Sequence, residues 1–391
     1  MIFFKKTDEF KPAQKNCFWK YWRVFCICTL ILGEIALLSQ AVAYAEQPVK
    51  IAIVGPMIGT SFSVGIQYKV GVSAAIQALP DGQLLGHKVD IKTYDDSCSI
   101  PIAEKVALDL VQDPPAVVIG HSCSMATLVA APVYAEHKVL QITPASTNPQ
   151  ITELGIKTIF RMIGRDDVQG KIGAERIARQ HADKKIGFFY FPGSYSEGLA
   201  LTAISALEVR GIKPTKIIKE IASAASYAGS IQDFIDAKIE ILYLVGGGLD
   251  SGVFMRQLRQ MGAQCQVISG DTLVSKVFVE AAGDAGEGIP FTFPPEPVKL
   301  STSKKAVAAI KEMGLEPVGY TLLAYAATQT WIEGVRRAHS FDADLVATAI
   351  RRGPVETVLG GISFDEKGDI QTPYPAFVWY MWKKDKRVRL D

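Results

Sequence analysis

Short apolar runs alternate with helix-period segments along most of this chain, and that alternation limits the folds open to it. Val49–Val54 (VKIAIV) reads as a strand, Val64–Leu79 as a helix, Val89–Tyr94 as a strand and Ile102–Val111 as a helix. Strands at Ala116–Ile119 and Val139–Thr143 flank a helix over Met125–Glu136. A second series begins after Arg165. It runs helix Val168–His181, strand Lys185–Phe191, helix Glu197–Val209, strand Lys216–Glu220, helix Ser230–Ala237, strand Ile239–Val245, helix Gly252–Met261 and strand Gln266–Ser269. Short buried strands separated by helices of this length make βαβ units and a parallel sheet. Two such series predict two similar α/β lobes rather than one large sheet. The C-terminal third breaks the rhythm. Helices over Lys304–Met313, Thr321–Ala338 and Ala343–Arg351 follow one another. Strands at Gly361–Phe364 and Ala376–Trp382 come after them, separated by the turn-rich Asp365-Glu366-Lys367-Gly368-Asp369. Helices that cannot continue the second lobe's alternation are free to return to the first, and Pro294-Pro295 marks a crossing between lobes.

The first 45 residues stand apart from this pattern. Lys5, Lys6, Lys11, Lys15, Lys20 and Arg23 precede an apolar run from Val24 to Leu32, and Ala43-Tyr44-Ala45 places small residues before Glu46. This is the layout of a cleavable secretory signal, cut after Ala45. The unbroken apolar stretch is far short of the roughly 20 residues a membrane span needs. The whole chain carries a net charge of +2. Without the leader's six basic and three acidic residues the remainder holds 36 basic and 37 acidic, a net of −1. Neither figure is the footprint of a nucleic-acid binder.

Enzyme signatures are sparse. There is no phosphate-loop motif, no H-E-x-x-H and no C-x-x-C, and the five histidines are scattered, which argues against a metal site. Gly246-Gly247-Gly248 follows a strand but continues Leu249-Asp250-Ser251, and it reads as a tight turn rather than a dinucleotide fingerprint. Gly120-His121-Ser122-Cys123-Ser124 comes near a nucleophile elbow, with Ser124 where the last glycine belongs. A serine hydrolase using Ser122 or Ser124 is therefore a remote alternative.

The same loop has a binding reading. A loop leaving the carboxyl end of a parallel strand and entering a helix exposes backbone N–H groups and the positive end of the helix dipole, which with serine hydroxyls suits a carboxylate. Pro144-Ala145-Ser146-Thr147-Asn148-Pro149 is a second polar loop at a strand end. Ligands of open α/β sheets sit in that crevice. The plain alternative is N-capping by Ser124 and ordinary turn chemistry. Three cysteines follow the leader. Cys98 and Cys123 each follow a strand, and adjacent strand ends can bring them within bridging distance. Cys265 is left over as a buried thiol.

The chain resembles the periplasmic leucine/isoleucine/valine-binding proteins of ABC transporters. The markers, in order, are Val54-Gly55-Pro56-Met57, Tyr94-Asp95-Asp96-Ser97-Cys98, Ile119-Gly120-His121-Ser122-Cys123-Ser124, Thr143-Pro144-Ala145-Ser146-Thr147-Asn148-Pro149, Tyr195-Ser196-Glu197-Gly198, Tyr325-Ala326-Ala327 and Asp365-Glu366-Lys367-Gly368-Asp369. The resemblance implies an α/β fold of two Rossmann-like lobes with parallel central sheets joined by three hinge crossings. Residues 1–45 are then signal peptide, 46–165 plus 295–373 lobe 1, and 166–294 plus 374–391 lobe 2. It implies a Cys98–Cys123 bridge and no cofactor. Ser124 matches a serine that holds a ligand α-carboxylate, Ala145 a carbonyl that accepts from the α-ammonium, and Thr147 a threonine touching both. Ser146, in the same loop, joins the candidate ligand residues. Tyr195 matches a tyrosine that closes over the ligand, and Asp271 stands where the family usually has a glutamate for the ammonium. Gly247 and Gly248 stand where the family often has tyrosines, so the ligand's side chain is left open. The implied function is that of a monomeric, non-enzymatic periplasmic receptor. It delivers an α-amino acid to an ABC permease complex in the inner membrane. A sensor of the same fold, binding an amide or another small organic ligand, is the alternative.

Overall fold

A computed structural model describes residues 47–221, 226–384 and 386–390. The leader and its cleavage point lie outside the described residues. Gln47 and Pro48 group with Gly86–Lys88 as a small unit of their own, where the His87 ring meets the Gln47 carbonyl at 3.1 Å. The remainder of the described chain is one compact unit.

The first half of that unit supplies β1 (Val49–Gly55), β2 (Gln83–Leu84), β3 (His87–Asp95), β4 (Val117–Ile119), β5 (Leu140–Thr143) and β6 (Ile159–Arg161). They assemble in the order β2-β3-β1-β4-β5-β6, and β3 through β6 run parallel. Helices α1 (Phe62–Gln77), α2 (Ile100–Leu110), α3 (Ser124–Glu136) and α4 (Gln150–Glu153) connect the strands. Ile51 to Val54 are buried to within 1% of complete. A strand covered on both faces is apolar at every position rather than at alternate ones.

The second sheet is built from β7 (Ile186–Tyr190), β8 (Lys216–Lys219), β9 (Ile241–Val245), β10 (Gln266–Ser269) and β11 (Pro290–Phe293). Their helices are α5 (Asp166–Gln180), α6 (Ser194–Glu208), α7 (Ala228–Asp236), α8 (Gly248–Gln260) and α9 (Lys276–Ala282). Helices α10 (Lys304–Glu312), α11 (Thr321–Ala338) and α12 (Ala343–Arg351) follow, then a small sheet of β12 (Val355–Thr357), β13 (Gly360–Phe364) and β14 (Ile370–Gln371). The antiparallel pair β15 (Val378–Lys383) and β16 (Lys386–Arg389) joins the second sheet beside β11, giving the order β16-β15-β11-β10-β9-β7-β8. The fold is therefore α/β with two parallel-dominated sheets, and the chain passes between them after β6, after β11 and after β14.

Helix α11 packs on α1. A Cβ on Gly71 would lie 2.2 Å from the Thr321 carbonyl oxygen, so the glycine lets the two backbones approach. Several short elements have no counterpart in the expected alternation, among them β6 of three residues, β11, which opens on a proline, and α9 of two turns. Segments that short carry no periodicity. Helix α8 starts at Gly248, a turn earlier than Gly252, so Gly247 is its N-cap and the triple glycine is a helix start rather than a turn.

Candidate functional site

In each sheet the first strand, β1 or β7, has neighbours on both sides whose connections leave in opposite directions, which opens a crevice at the carboxyl ends of the strands. The two crevices face one another and enclose a cavity of about 280 Å³. Its walls are strand-end segments: Thr60 to Val64 after β1, Cys98 after β3, Ser122 to Met125 after β4 and Ala145 with Thr147 after β5. From the other side come Phe191 to Ser196 after β7, Gly247 to Asp250 after β9, and Asp271, Thr272 and Ser275 after β10. Ser124, Ala145, Thr147, Tyr195 and Asp271 all line it, although up to 147 positions separate them in the chain.

Ser124 is the first residue of α3, and its Oγ accepts from the Asn148 N–H at 3.3 Å. Asp271 is 1% exposed. Its Oδ1 accepts from Tyr195 Oη at 2.9 Å and Gln169 Nε2 at 3.2 Å, and its Oδ2 from Tyr320 Oη at 2.7 Å. Burial pushes the Asp271 carboxyl above the usual carboxylate range, and these three donors offset part of that. Tyr195 gets this close because residue 270 is glycine; a Cβ there would sit 2.6 Å from the phenol oxygen. Ser146 does not reach the cavity. Its Oγ bonds Thr127 Oγ1 at 2.7 Å and donates toward the carbonyls of Ser122 and His121, so it braces the loop from behind.

The Cys98–Cys123 disulfide is present, with Cα atoms 5.5 Å apart, and it forms part of the cavity wall. Cys265 is a buried free thiol. His121 is fully buried, with Nδ1 2.7 Å from Asp96 Oδ2 and Nε2 3.0 Å from Tyr134 Oη. Both ring nitrogens are thereby engaged away from Ser122 and Ser124, and neither serine hydrogen-bonds a histidine among the described residues. A nucleophile needs that base within reach. No group of acidic, histidine or cysteine side chains among the described residues gathers to hold a metal.

Side-chain hydrogen bonds tie the two sides of the cleft. Asn148 Nδ2 donates to the Ser194 carbonyl at 2.6 Å, Tyr320 to Asp271, and the Ser63 and Ser275 hydroxyls meet at 3.3 Å. Tyr320 and Gln169 were not singled out by the sequence. Tyr320 immediately precedes α11 and Gln169 sits in the second turn of α5, so neither lies in a polar strand-end loop.

Opposed α/β crevices meeting over a small cavity with a few polar side chains on each wall define the class of two-lobed solute-binding proteins. The profile of the family described as "Periplasmic binding protein" matches residues 48–386. A Leu/Ile/Val-binding protein homolog 1 of Brucella abortus is 36% identical over 348 residues, covering 88% of this chain and 92% of its own. The crystal structure of a leucine-binding protein of Thermotoga maritima superposes with a TM-score of 0.80 at 27% identity, over 88% of this chain and 98% of that one. A benzoate-bound solute-binding protein of R. palustris shares the fold at a TM-score of 0.79 and 17% identity, covering 88% and 96%. The chain belongs to the periplasmic binding protein family, and its relatives there include Leu/Ile/Val-binding proteins.

Proposed function

We propose that the chain captures an α-amino acid in this cavity and hands it to an ABC permease of the inner membrane, without covalent chemistry. The observation that carries this is the pairing of opposite chemistries across one small cavity: hydroxyls and the N–H end of α3 on one side, the buried carboxylate of Asp271 on the other. A zwitterion leaving water needs dedicated partners for both charges. Ser124 takes the α-carboxylate, through its hydroxyl and the free N–H groups that open α3. Thr147 spans both groups. The Ala145 carbonyl and Asp271 take the ammonium. With two donors on Oδ1 and one on Oδ2, the Asp271 carboxylate keeps an acceptor direction on Oδ2 for an ammonium N–H. Tyr195 closes the second side.

In this reading residues 46–165 with 295–373 form one lobe and 166–294 with 374–391 the other, hinged where the chain passes between the sheets. Ligand contacts from both sides make closure ligand-dependent. The protein acts as a monomer in the periplasm after cleavage at Ala45. The Leu/Ile/Val-binding relative and the leucine-binding neighbour support an amino-acid ligand. The benzoate-bound neighbour shows that the fold also takes simple carboxylates, but a benzoate would leave Asp271 without a cation.

Calorimetry against the L-amino acids tests this directly. Asp271→Ala removes one partner of a buried charge pair and should weaken binding by about 2–5 kcal/mol, a loss of roughly 30-fold or more. Binding of benzoate but of no amino acid would overturn the proposal, as would an Asp271→Ala variant with unchanged affinity.

A further inference from the structure

A second buried carboxyl lies behind the amino end of the cavity. Asp166 opens α5, just where the chain has left the first sheet, and it is 0% exposed. Its N–H donates to the Thr147 carbonyl at 2.9 Å, and one turn along α5 Gln169 donates to Asp271. Thus Asp166 is flanked by two residues of the amino end. Yet neither of its carboxyl oxygens has a hydrogen-bond partner, and it forms no ion pair among the described residues. Two further buried groups of the same cluster, Gln169 Oε1 and Tyr243 Oη, are also without partners.

An ionised carboxylate in that setting is severely penalised, and such a group takes up a proton instead. The charges facing it do not remove the penalty. Arg161, on β6, is committed to Asp369, and Arg165 to Asp167, Asp369 and Glu153. Asp271 and the neighbouring Asp167 add negative charge, and Tyr195 and Tyr243 present only neutral phenols. Burial, reinforced by Asp271, holds the Asp166 carboxyl well above the usual range, while the nearby Thr147 hydroxyl and the Arg161 charge act in the other direction.

We propose that Asp166 is a positioning residue that sets the charge of the amino end: it is a neutral carboxylic acid while the cavity is empty and releases its proton when a ligand ammonium settles against Asp271. The inference rests on the amino-acid reading above. The O–H bond breaks with both electrons staying on Asp166, the proton passes to a buffer base, and nothing is oxidised or reduced. The pair of carboxyls carries one negative charge before binding; afterwards two negative charges face one ammonium, so the local charge is the same. The N-terminal end of α5 favours the ionised form, which lets one added cation shift the balance. A ligand with no cation leaves Asp166 protonated, so the device selects amino acids over simple carboxylates.

Two measurements decide it. Infrared spectra of the ligand-free protein at pH 7 should contain the carbonyl stretch of a buried protonated carboxyl that is absent from Asp166→Asn; its absence from the wild type overturns the proposal. Calorimetry, using the L-amino acid that most raises the melting temperature, is then run in two buffers of different ionisation enthalpy. Wild type should release close to one proton per ligand, and affinity should rise with pH by up to about tenfold per unit. Asp166→Asn should release almost none and give a flat pH profile. Amino-acid binding with no proton release in the wild type, or with equal release in the variant, refutes the role of Asp166. Absence of amino-acid binding refutes the function proposed above, while the infrared band still decides the state of Asp166.

Discussion

Removing the carboxylate of Asp369 tests how the cavity-lining loop after β5 is held. Arg161 is fully buried, and it donates from Nε to Asp369 Oδ1 at 2.7 Å, with Nη2 2.5 Å from the same oxygen. Its Nη1 reaches the Asn148 carbonyl at 2.7 Å and the Ser146 carbonyl at 3.4 Å, and Nη2 reaches Thr152 Oγ1 at 2.6 Å. The guanidinium therefore ties the loop carrying Thr147 to the turn between β13 and β14. That turn is fixed by Asp365, whose Oδ1 accepts from the N–H groups of Lys367, Gly368 and Asp369 at 2.9 Å each. Asp369→Ala strands a buried cation that keeps only neutral partners. Breaking one side of a buried pair costs about 3–5 kcal/mol. At roughly 2 °C per kcal/mol for a chain of this size, the melting temperature should fall by about 6–10 °C. Urea denaturation gives the free energy directly, with the midpoint falling at constant slope. The decisive comparison is Arg161→Met/Asp369→Ala, which removes both charges and should be less destabilised than Asp369→Ala alone. A loss below about 1 kcal/mol in the single variant, or a double variant worse than the single by the full cost of a second substitution, would show that the pair does not hold the loop as described.

Other outcomes follow from the same structure. Replacing Cys98 and Cys123 with serine should cost roughly 3–4 kcal/mol in urea, the chain-entropy value for a separation of 25 residues, and dithiothreitol should lower wild-type stability equally; an unchanged midpoint would count against the bridge. Gly71→Ala should destabilise by about 1–3 kcal/mol, because the new methyl meets the Thr321 carbonyl rather than a flexible side chain; a neutral result would show that α1 and α11 can separate freely. The pH dependence has a definite sign. Asp166 and Asp271 titrate higher in the folded chain than in the unfolded one, so the folded state holds extra protons above about pH 4 and loses stability as pH rises through the folded values. Asp166→Asn removes one of these contributions, so the ligand-free variant should gain on wild type as pH rises above about 4 by differential scanning calorimetry, and a constant difference would contradict the burial of an unpaired carboxyl.

Much of the site was legible before folding. Ser124, Ala145 and Thr147 lie in polar loops that directly follow apolar runs, and an apolar run ending in such a loop marks a strand terminus whatever the rest of the chain does. Tyr195 and Asp271 are legible only through the family resemblance, since nothing local separates Asp271 from any other aspartate after a strand. Ser146 shares its loop with two cavity residues but turns the other way, and no sequence signal distinguishes alternate sides of an irregular loop. Asp166 is the strongest example. An aspartate in the first turn of a helix is ordinary N-terminal chemistry, and only the packing of α5 against Thr147, Tyr243 and Asp271 makes it a carboxyl without a partner.

By itself the sequence determined the α/β class, the two strand series and the polar loops at strand ends, because apolar periodicity and strand-end polarity are properties of neighbouring residues. Tertiary structure alone decided which side chains share a cavity, that Tyr320 donates to Asp271 across 49 positions, and that Arg161 pairs with Asp369 across 208. Those pairings depend on which buried donors and acceptors are left for one another once the sheets are covered, and that is set by packing between segments distant in the chain.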